Sequence, residues 1–96
     1  MLFHITHVHT PETCPYHNPE KARATFGKML SSAEQIGVTL VGAWADAPAH
    51  TVYFVVETDS AEKIQEFLGP AFEIGHAETR VVADARALLK RRIGEG

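Results

Sequence analysis

The order of hydrophobic patterns along the chain constrains its fold more than any other feature. Residues 2–9 alternate in the manner of a strand, and residues 19–36 repeat apolar side chains at helical spacing. Further strand patterns occupy 38–45, 51–58 and 78–83, with a second main helix after 59 and a short helix over 84–93. The order strand–helix–strand–strand–helix–strand predicts a ferredoxin-like α+β fold. We expect a four-stranded antiparallel sheet of order 4-1-3-2 with both main helices on one face.

Capping residues mark the ends of the predicted helices. Asn18 is a preferred N-cap, and Pro19 follows at the first helical position, where its missing N–H costs nothing. Gly37 is suited to the C-cap of this helix. A capping-box pattern opens the second helix at Asp59, and Gly69-Pro70 is expected to end or kink it.

Composition and charge exclude several function classes. The 96 residues predict a single domain over 1–96. A net charge of −3 with scattered basic residues gives no footprint for nucleic acid. The chain lacks an apolar run of the roughly 20 residues needed to cross a bilayer, and its first residues lack the pattern of a signal peptide. A single cysteine prevents an intrachain disulfide, so we expect a cytoplasmic protein.

Both faces of the predicted sheet carry apolar side chains. The opposing sets are Val52, Phe54 and Val56 against Tyr53 and Val55 in the third strand, and Val38, Leu40 and Trp44 against Val41 and Ala43 in the second. Since helices cover only one face, the apolar side chains of the other face indicate a partner. The simplest partner is a second copy, which gives a homodimer packed sheet to sheet.

Residues 37–90 resemble a known superfamily. Gly37-Val38, Trp44-x-Asp46 and Glu57-x-Asp59 are similar to motifs in the central hairpin of the small dimeric α/β-barrel proteins. The segment "ETRVVADARALL" extends the resemblance, which is to an uncharacterised small bacterial branch of that superfamily. It implies the same ferredoxin-like fold in a dimeric barrel. The motifs are structural, so they imply no particular reaction.

The expected strand order gathers most of the histidines and the only cysteine at one end of the sheet. The first strand ends at His9, the loop into the first helix starts there, and the turn between strands two and three returns to the same end. The residues brought to this end are His7, His9, Cys14, His17, His50 and His76. His4 is the exception, because it points to the opposite face from His7 and His9.

The spacing of these residues suits a metal ion. His7 and His9 are two apart on a strand and point the same way, about 6.5 Å apart. Cys14-x-x-His17 is short enough for both side chains to reach one ion. Imidazole and thiolate ligands suit zinc, nickel or copper, with tetrahedral zinc expected first. The predicted ligands are His7, His9, Cys14 and His17, with His50 and His76 as further candidates.

The superfamily resemblance implies both metal-dependent and metal-free functions. Some of its small proteins bind nickel through a histidine at the end of the first strand, which His7 or His9 resembles. Others are cofactor-independent monooxygenases or isomerases. In such an enzyme His7 or His9 would act as general base, with Trp44 or Tyr53 lining a pocket for a small molecule and Tyr16 covering the site.

Three further alternatives remain open at this stage. Cys14 beside His17 at a helix N-terminus suits an activated thiol. Haem binding through an axial histidine occurs in the superfamily. In a plain interaction module the histidines would have no specific role.

Overall fold

A computed structural model describes residues 1–94 as four strands, four α-helices and a π-helical segment. The elements are β1 (Leu2–His9), α1 (Pro19–Ala22), the π-helical segment (Arg23–Gly27), α2 (Lys28–Ile36), β2 (Thr39–Asp46), β3 (Thr51–Glu57), α3 (Ala61–Phe72), β4 (Gly75–Val82) and α4 (Ala85–Ile93). All neighbouring strands are antiparallel, in the order β2-β3-β1-β4. This is the predicted order counted from the other edge, and the fold is ferredoxin-like α+β as expected.

The central strand β1 separates two faces of the sheet. Phe3, Ile5, His7 and His9 are buried on the side that faces the helices, whereas the residues between them are half-buried on the other side. We call these the helix face and the outer face. The hydrophobic core lies on the helix face and comprises Phe3, Ile5, Met29, Ala33, Val38, Phe54, Val56, Ile64, Phe67, Leu68 and Ala71.

The first helical region has the predicted ends but is not one continuous α-helix. Asn18 caps it by accepting a hydrogen bond from the Lys21 N–H at 3.1 Å, and Gly37 ends it in the left-handed region with φ 95°. The π-helical segment interrupts it, and there the Thr25 hydroxyl donates to the Lys21 carbonyl oxygen at 2.8 Å. A π turn holds more residues than an α turn, so it changes the direction in which later side chains point.

The second main helix begins one residue later than predicted. The Ser60 side chain, rather than that of Asp59, accepts a hydrogen bond from the backbone N–H of Glu62 at 3.1 Å. The Asp59 carboxylate lies 3.0 Å from the Lys63 ammonium group instead. Serine and aspartate are both good N-caps, so the sequence alone does not decide between neighbours.

Of the two outcomes expected at Gly69-Pro70, an end or a kink, the end is wrong, because α3 continues to Phe72. Proline there leaves one backbone carbonyl without its helical donor. Burial of Phe67, Leu68 and Ala71 against the core holds the last turn in place.

The second strand carries a β-bulge at Val41. Leu40 pairs with Val56 and Gly42 pairs with Val55, so Val41 of β2 has no partner residue in β3. The expectation that Leu40 and Trp44 share a face is therefore wrong. Leu40 lies on the helix face, and Trp44, which pairs with Tyr53, lies on the outer face.

The last strand begins at Gly75, three residues before the predicted strand, and is followed by a projecting helix. Asp84, the first residue of the helix predicted over 84–93, caps α4 by accepting hydrogen bonds from the N–H groups of Arg86 and Ala87. Within residues 1–94, α4 packs against no other helix or strand. Its apolar side chains are exposed, with Leu89 at 59% and Ile93 at 66%.

None of the helices within residues 1–94 combines the length and the apolar character that crossing a membrane requires.

Candidate functional site

Two buried imidazoles lie side by side at the end of β1. His7 is fully buried and His9 is 8% exposed. Their ring centroids are 5.7 Å apart. Phe26, in the π-helical segment, packs against both rings, edge-on to His7 at 5.3 Å and tilted against His9 at 5.9 Å. The helical region therefore covers the histidine pair with an aromatic ring.

His7 is tied to the last turn of α3. Its Nε2 lies 2.9 Å from the carbonyl oxygen of Ala71. A carbonyl can only accept, so Nε2 carries the proton and Nδ1 is left as a bare nitrogen. Nδ1 is buried and has no hydrogen-bond partner within the described residues. Burial lowers the pKa of His7 below its ordinary value of 6.5, against the opposing effect of the bond to Ala71.

A third histidine reaches the pair from the turn between β2 and β3. His50 has φ 50°, in the left-handed region that few residues other than glycine adopt and in which asparagine, aspartate and histidine are enriched. Its carbonyl oxygen accepts a 3.0 Å hydrogen bond from the N–H of His9, which extends the pairing of β1 with β3 beyond Thr51. The two imidazoles meet edge to face with centroids 5.4 Å apart. The backbone pairing therefore fixes the relative positions of the His9 and His50 Cα atoms, from which the two side chains extend.

The loop after β1 brings a thiol to the same place. Thr10 and Thr13 hydrogen-bond to each other through backbone and hydroxyl groups, and the Asn18 N–H donates to the Pro15 carbonyl oxygen at 3.0 Å. Between these two turns lies Cys14, a half-buried free cysteine. One donor atom from each of His9, Cys14 and His50 lies within 4.8 Å of the others. Nδ1 of His9 and Nδ1 of His50 are both buried, and neither has a hydrogen-bond partner among residues 1–94.

The electrostatic surroundings keep His9 neutral. Burial is the largest effect and lowers the pKa of His9 below 6.5, and the positive charges that His7, His50 and Lys21 can carry lower it further. At neutral pH the imidazole therefore has a free lone pair on one ring nitrogen. A neutral imidazole can accept a proton or bind a metal ion.

A cleft of about 750 Å³ opens beside the three donors. His9, Cys14 and His50 line it, together with Phe26 and a mostly apolar set of residues. The other lining residues are Pro11, Pro15, Tyr16, His17, Ala22, Ala45, Asp46, Ala47, Thr51 and Val52. The volume is within the usual range for small-molecule sites, about 300–1,000 Å³.

The other residues singled out from the sequence lie at different places. His17 lines the cleft, but it is exposed, stacks edge-on against Tyr16 and lies outside the group of three donors. His76 pairs with Val8 and is exposed on the outer face. Trp44 and Tyr53 also lie on the outer face, away from the cleft, whereas Tyr16 lines it and is 78% exposed.

Two contributors to the site were not anticipated from the sequence. Phe26 belongs to the apolar helical repeat of residues 19–36, which does not indicate a contact with the histidines. The Ala71 carbonyl oxygen that orients His7 is a backbone atom, so the type of residue at this position does not reveal its role. His50 was only a further candidate, although its position just after the turn-forming "DAPA" segment is the signal that points to the end of β1.

Solved structures with similar folds come from several bacteria. The Streptomyces coelicolor A3(2) protein SCO4226 is 24% identical, with a TM-score of 0.56 over 85% of this chain and 98% of its own. Protein Atu4242 from Agrobacterium tumefaciens is 16% identical, with a TM-score of 0.52 over 90% of this chain and 95% of its own. These similarities show the fold.

A more distant similarity is to a dimeric ferredoxin-like protein from an uncultured marine organism. It is 13% identical, with a TM-score of 0.41 over 86% of this chain and 94% of its own.

No curated protein matches the chain. One family model matches residues 1–91, and the chain accordingly belongs to the family described as "Domain of unknown function (DUF3303)".

Proposed function

We propose that the protein binds a transition-metal ion, with zinc as the first choice, through His9, Cys14 and His50. The observation that carries the proposal is the convergence of three donor atoms within 4.8 Å from three separate parts of the chain. They come from the end of β1, the following loop and the turn between β2 and β3. Two imidazoles and a thiolate are ligands that zinc, copper and nickel accept.

The unpartnered ring nitrogens support the proposal energetically. Nδ1 of His9 and Nδ1 of His50 are buried without a hydrogen bond inside the described chain. A buried polar atom left in this way costs about 1–3 kcal/mol. Coordination of an ion through these Nδ1 atoms would remove that cost, and the lowered pKa of His9 keeps its lone pair available at neutral pH.

The separations require only a small contraction. Donor atoms bonded to tetrahedral zinc at about 2.0–2.3 Å lie roughly 3.3–3.7 Å apart. The present separations are within 4.8 Å, so rotation of the side chains by about 1 Å closes the set. Three protein ligands would leave a fourth position for water or another molecule, as in catalytic zinc sites.

His7 and His17 have different roles in this proposal from those expected on spacing alone. In this proposal His7 is a supporting residue beside the ligands, and the hydrogen bond from its Nε2–H to the Ala71 carbonyl oxygen fixes its orientation. His17 stands on the cleft wall as an exposed neighbour. Nickel and copper remain alternatives to zinc, and the ligand set accommodates each of them.

Metal content and affinity test the proposal. Protein purified without a nickel column is analysed for bound elements, stripped with a chelator, and titrated with zinc and cobalt. We expect one ion per chain and a thiolate-to-cobalt charge-transfer band. The variants Cys14→Ser and His50→Asn should each weaken binding by at least about tenfold, and Cys14→Ser should lose the band. His76→Asn, an exposed histidine on the outer face, is the matched control and should bind as the wild type does. No uptake, or unchanged affinity in both site variants, would disprove the proposal.

A cofactor-independent oxygenase or isomerase is the second candidate, favoured by the cleft that has neutral His9 in its wall. There His9 would act as general base on a small molecule. An imidazole NMR titration separates the two candidates. For a metal site, added zinc should abolish the titration of His9. For a metal-free enzyme, His9 should titrate identically with and without zinc.

We also propose a homodimer. No helix within residues 1–94 covers the outer face, where His4, Thr6 and Val8 are half-buried and Trp44 is 57% exposed. The helix α4 is nine residues long, and helices of that length are marginal in water unless something packs on them. Its last turn is basic, with Lys90, Arg91 and Arg92, whereas Glu57 lies on the outer face. A second copy supplies both an apolar face and complementary charge.

Sedimentation equilibrium tests the dimer. The wild type should show twice the mass of one chain, and Leu89→Glu or Trp44→Glu should shift it towards one chain. Gln35→Glu, an exposed change on α2, should not alter the mass. A wild type that sediments as one chain at every concentration would contradict the proposal.

A further inference from the structure

We infer that the cleft holds a small molecule with an apolar, ring-sized body and a single anionic donor group that completes the coordination of the ion. This inference rests on the proposed metal site and names the class of molecule that this site would take. It concerns the space beside the ligands, which metal binding alone does not use.

The position of the donors in the cleft wall carries the first step. His9, Cys14 and His50 all line the same cleft. An ion held by these three side chains would have protein on three sides, so its fourth position would open into the cleft. A molecule in the cleft can therefore reach the ion directly.

The charge at the site selects the donor group. A divalent ion with one thiolate and two neutral imidazoles carries a net charge of +1, since an imidazole that donates its lone pair to the ion takes up no extra proton. One negative charge on the incoming donor neutralises the site. Asp46 lines the cleft as well, so a second negative charge on the molecule would be repelled.

The rest of the cleft selects the body of the molecule. Its lining is mostly apolar, with Phe26, Val52 and Ala45 among the residues on its walls. Phe26 already packs edge-on against His7, so its ring is held in place. A volume of about 750 Å³ accommodates a benzene-sized group with room for substituents. Burying such a group against these walls adds affinity that the donor group alone does not provide.

Three probes separate the contributions of donor and body. Benzohydroxamate has both a phenyl ring and a singly charged donor, acetohydroxamate has the donor without the ring, and benzamide has the ring without an acidic donor. Each is added to cobalt-loaded protein, and the visible spectrum is followed. We expect benzohydroxamate to shift the spectrum and to bind at least about tenfold more tightly than acetohydroxamate, which corresponds to about 1.4 kcal/mol. Benzamide should leave the spectrum unchanged.

A matched pair of variants shows whether the ring occupies the cleft. Ala45→Phe places a ring on the cleft wall and should weaken benzohydroxamate at least about tenfold, with cobalt affinity unchanged. Ala43→Phe lies two residues away on the same strand, is exposed and does not line the cleft, so it should have no effect.

The spectrum of the cobalt protein before addition of probe distinguishes the two levels of failure. If cobalt binds but benzohydroxamate and acetohydroxamate bind equally, or neither shifts the spectrum, this inference is wrong and the metal site stands. If cobalt does not bind, both the metal site and this inference fall. Equal weakening by Ala45→Phe and Ala43→Phe would also overturn it.

Discussion

The imidazole Nε2 of His7 donates a 2.9 Å hydrogen bond to the carbonyl oxygen of Ala71, 64 residues further along the chain. The bond joins the central strand β1 to the last turn of α3. That carbonyl also accepts from the N–H of Ile74 at 3.2 Å, so one oxygen ends the helix and orients the histidine. The donor site at the end of β1 is thereby attached to the hydrophobic core.

Replacing His7 should destabilise the protein by more than replacing another histidine of the same strand. His7→Ala removes a fully buried ring and its hydrogen bond, so we expect a loss of about 2–4 kcal/mol in the free energy of unfolding, measured with urea. His7→Gln keeps an amide donor and should lose less. His4→Ala, on the half-buried outer face, should lose about 1 kcal/mol or less. Equal losses at both positions would contradict this assignment.

Stability should fall as the pH falls below 6.5. Burial lowers the pKa of His7 in the folded protein, and the positive charge of His76 adds to the lowering. The unfolded chain takes up its proton near pH 6.5 and the folded chain only at lower pH. Between these values the unfolded state binds more protons, so acid favours unfolding. The stabilisation is complete above pH 6.5 and is lost towards the lowered pKa.

The pH dependence is measured by urea melts from about pH 7.5 to about pH 5. Each proton contributes a slope of at most about 1.4 kcal/mol per pH unit. His7→Gln does not titrate and should flatten the curve. Since burial also lowers the pKa of His9, a shallower slope should remain. A curve for His7→Gln that matches the wild type would show that His7 does not titrate as described.

Metal binding should raise thermal stability in a way that depends on the donor residues. An ion that binds only the folded state at a free concentration one hundred times its Kd adds about 2.7 kcal/mol. The melting temperature of wild-type protein should therefore rise with added zinc and fall back with a chelator. His50→Asn should lose this response yet still fold, because asparagine tolerates the left-handed φ of 50°. Retention of the full response by His50→Asn would exclude His50 as a ligand.

Two glycines should respond oppositely to alanine. A Cβ on Gly75 would collide with the carbonyl oxygen of Val8 and approach Cε1 of His7 at 3.0 Å. We expect Gly75→Ala to cost about 2–4 kcal/mol, since backbone cannot move aside without disturbing the pairing of β4 with β1. Gly69 has open space around the corresponding position, and within α3 alanine should add about 0.5–1 kcal/mol. The unfolding free energies of both variants are measured by calorimetry. A change of the same sign in both would contradict the prediction.

The fold was largely predictable because its elements follow simple periods. The alternation in β1 and the caps at Asn18, Gly37 and Asp84 mark elements that the structure contains. The bulge at Val41 was not predictable, since one extra residue in a strand leaves the hydrophobic pattern on either side intact. The π-helical segment was not predictable for the same reason, because Phe26 and Met29 also fit an α-helical repeat.

The sequence predicted at which end of the sheet the candidate site lies, but not which residues form it. The strand order alone gathers His9, Cys14 and His50 at one end of the sheet. Which histidines share a face depends on strand register, and register put His76 opposite Val8 on the outer face. The orientation of His7 depends on a carbonyl group of α3, which no pattern of residue types reveals.

The hydrogen bond from the His9 N–H to the His50 carbonyl oxygen has a consequence for how an ion would enter and leave. Two donors sit on backbone that the sheet already holds, whereas Cys14 sits on a loop between two local turns. In the proposed metal site, strand pairing would therefore fix the two imidazoles, whereas only local turns would fix the thiolate. Substitutions between residues 10 and 18 should then change the rate of ion exchange more than the identity of the bound metal.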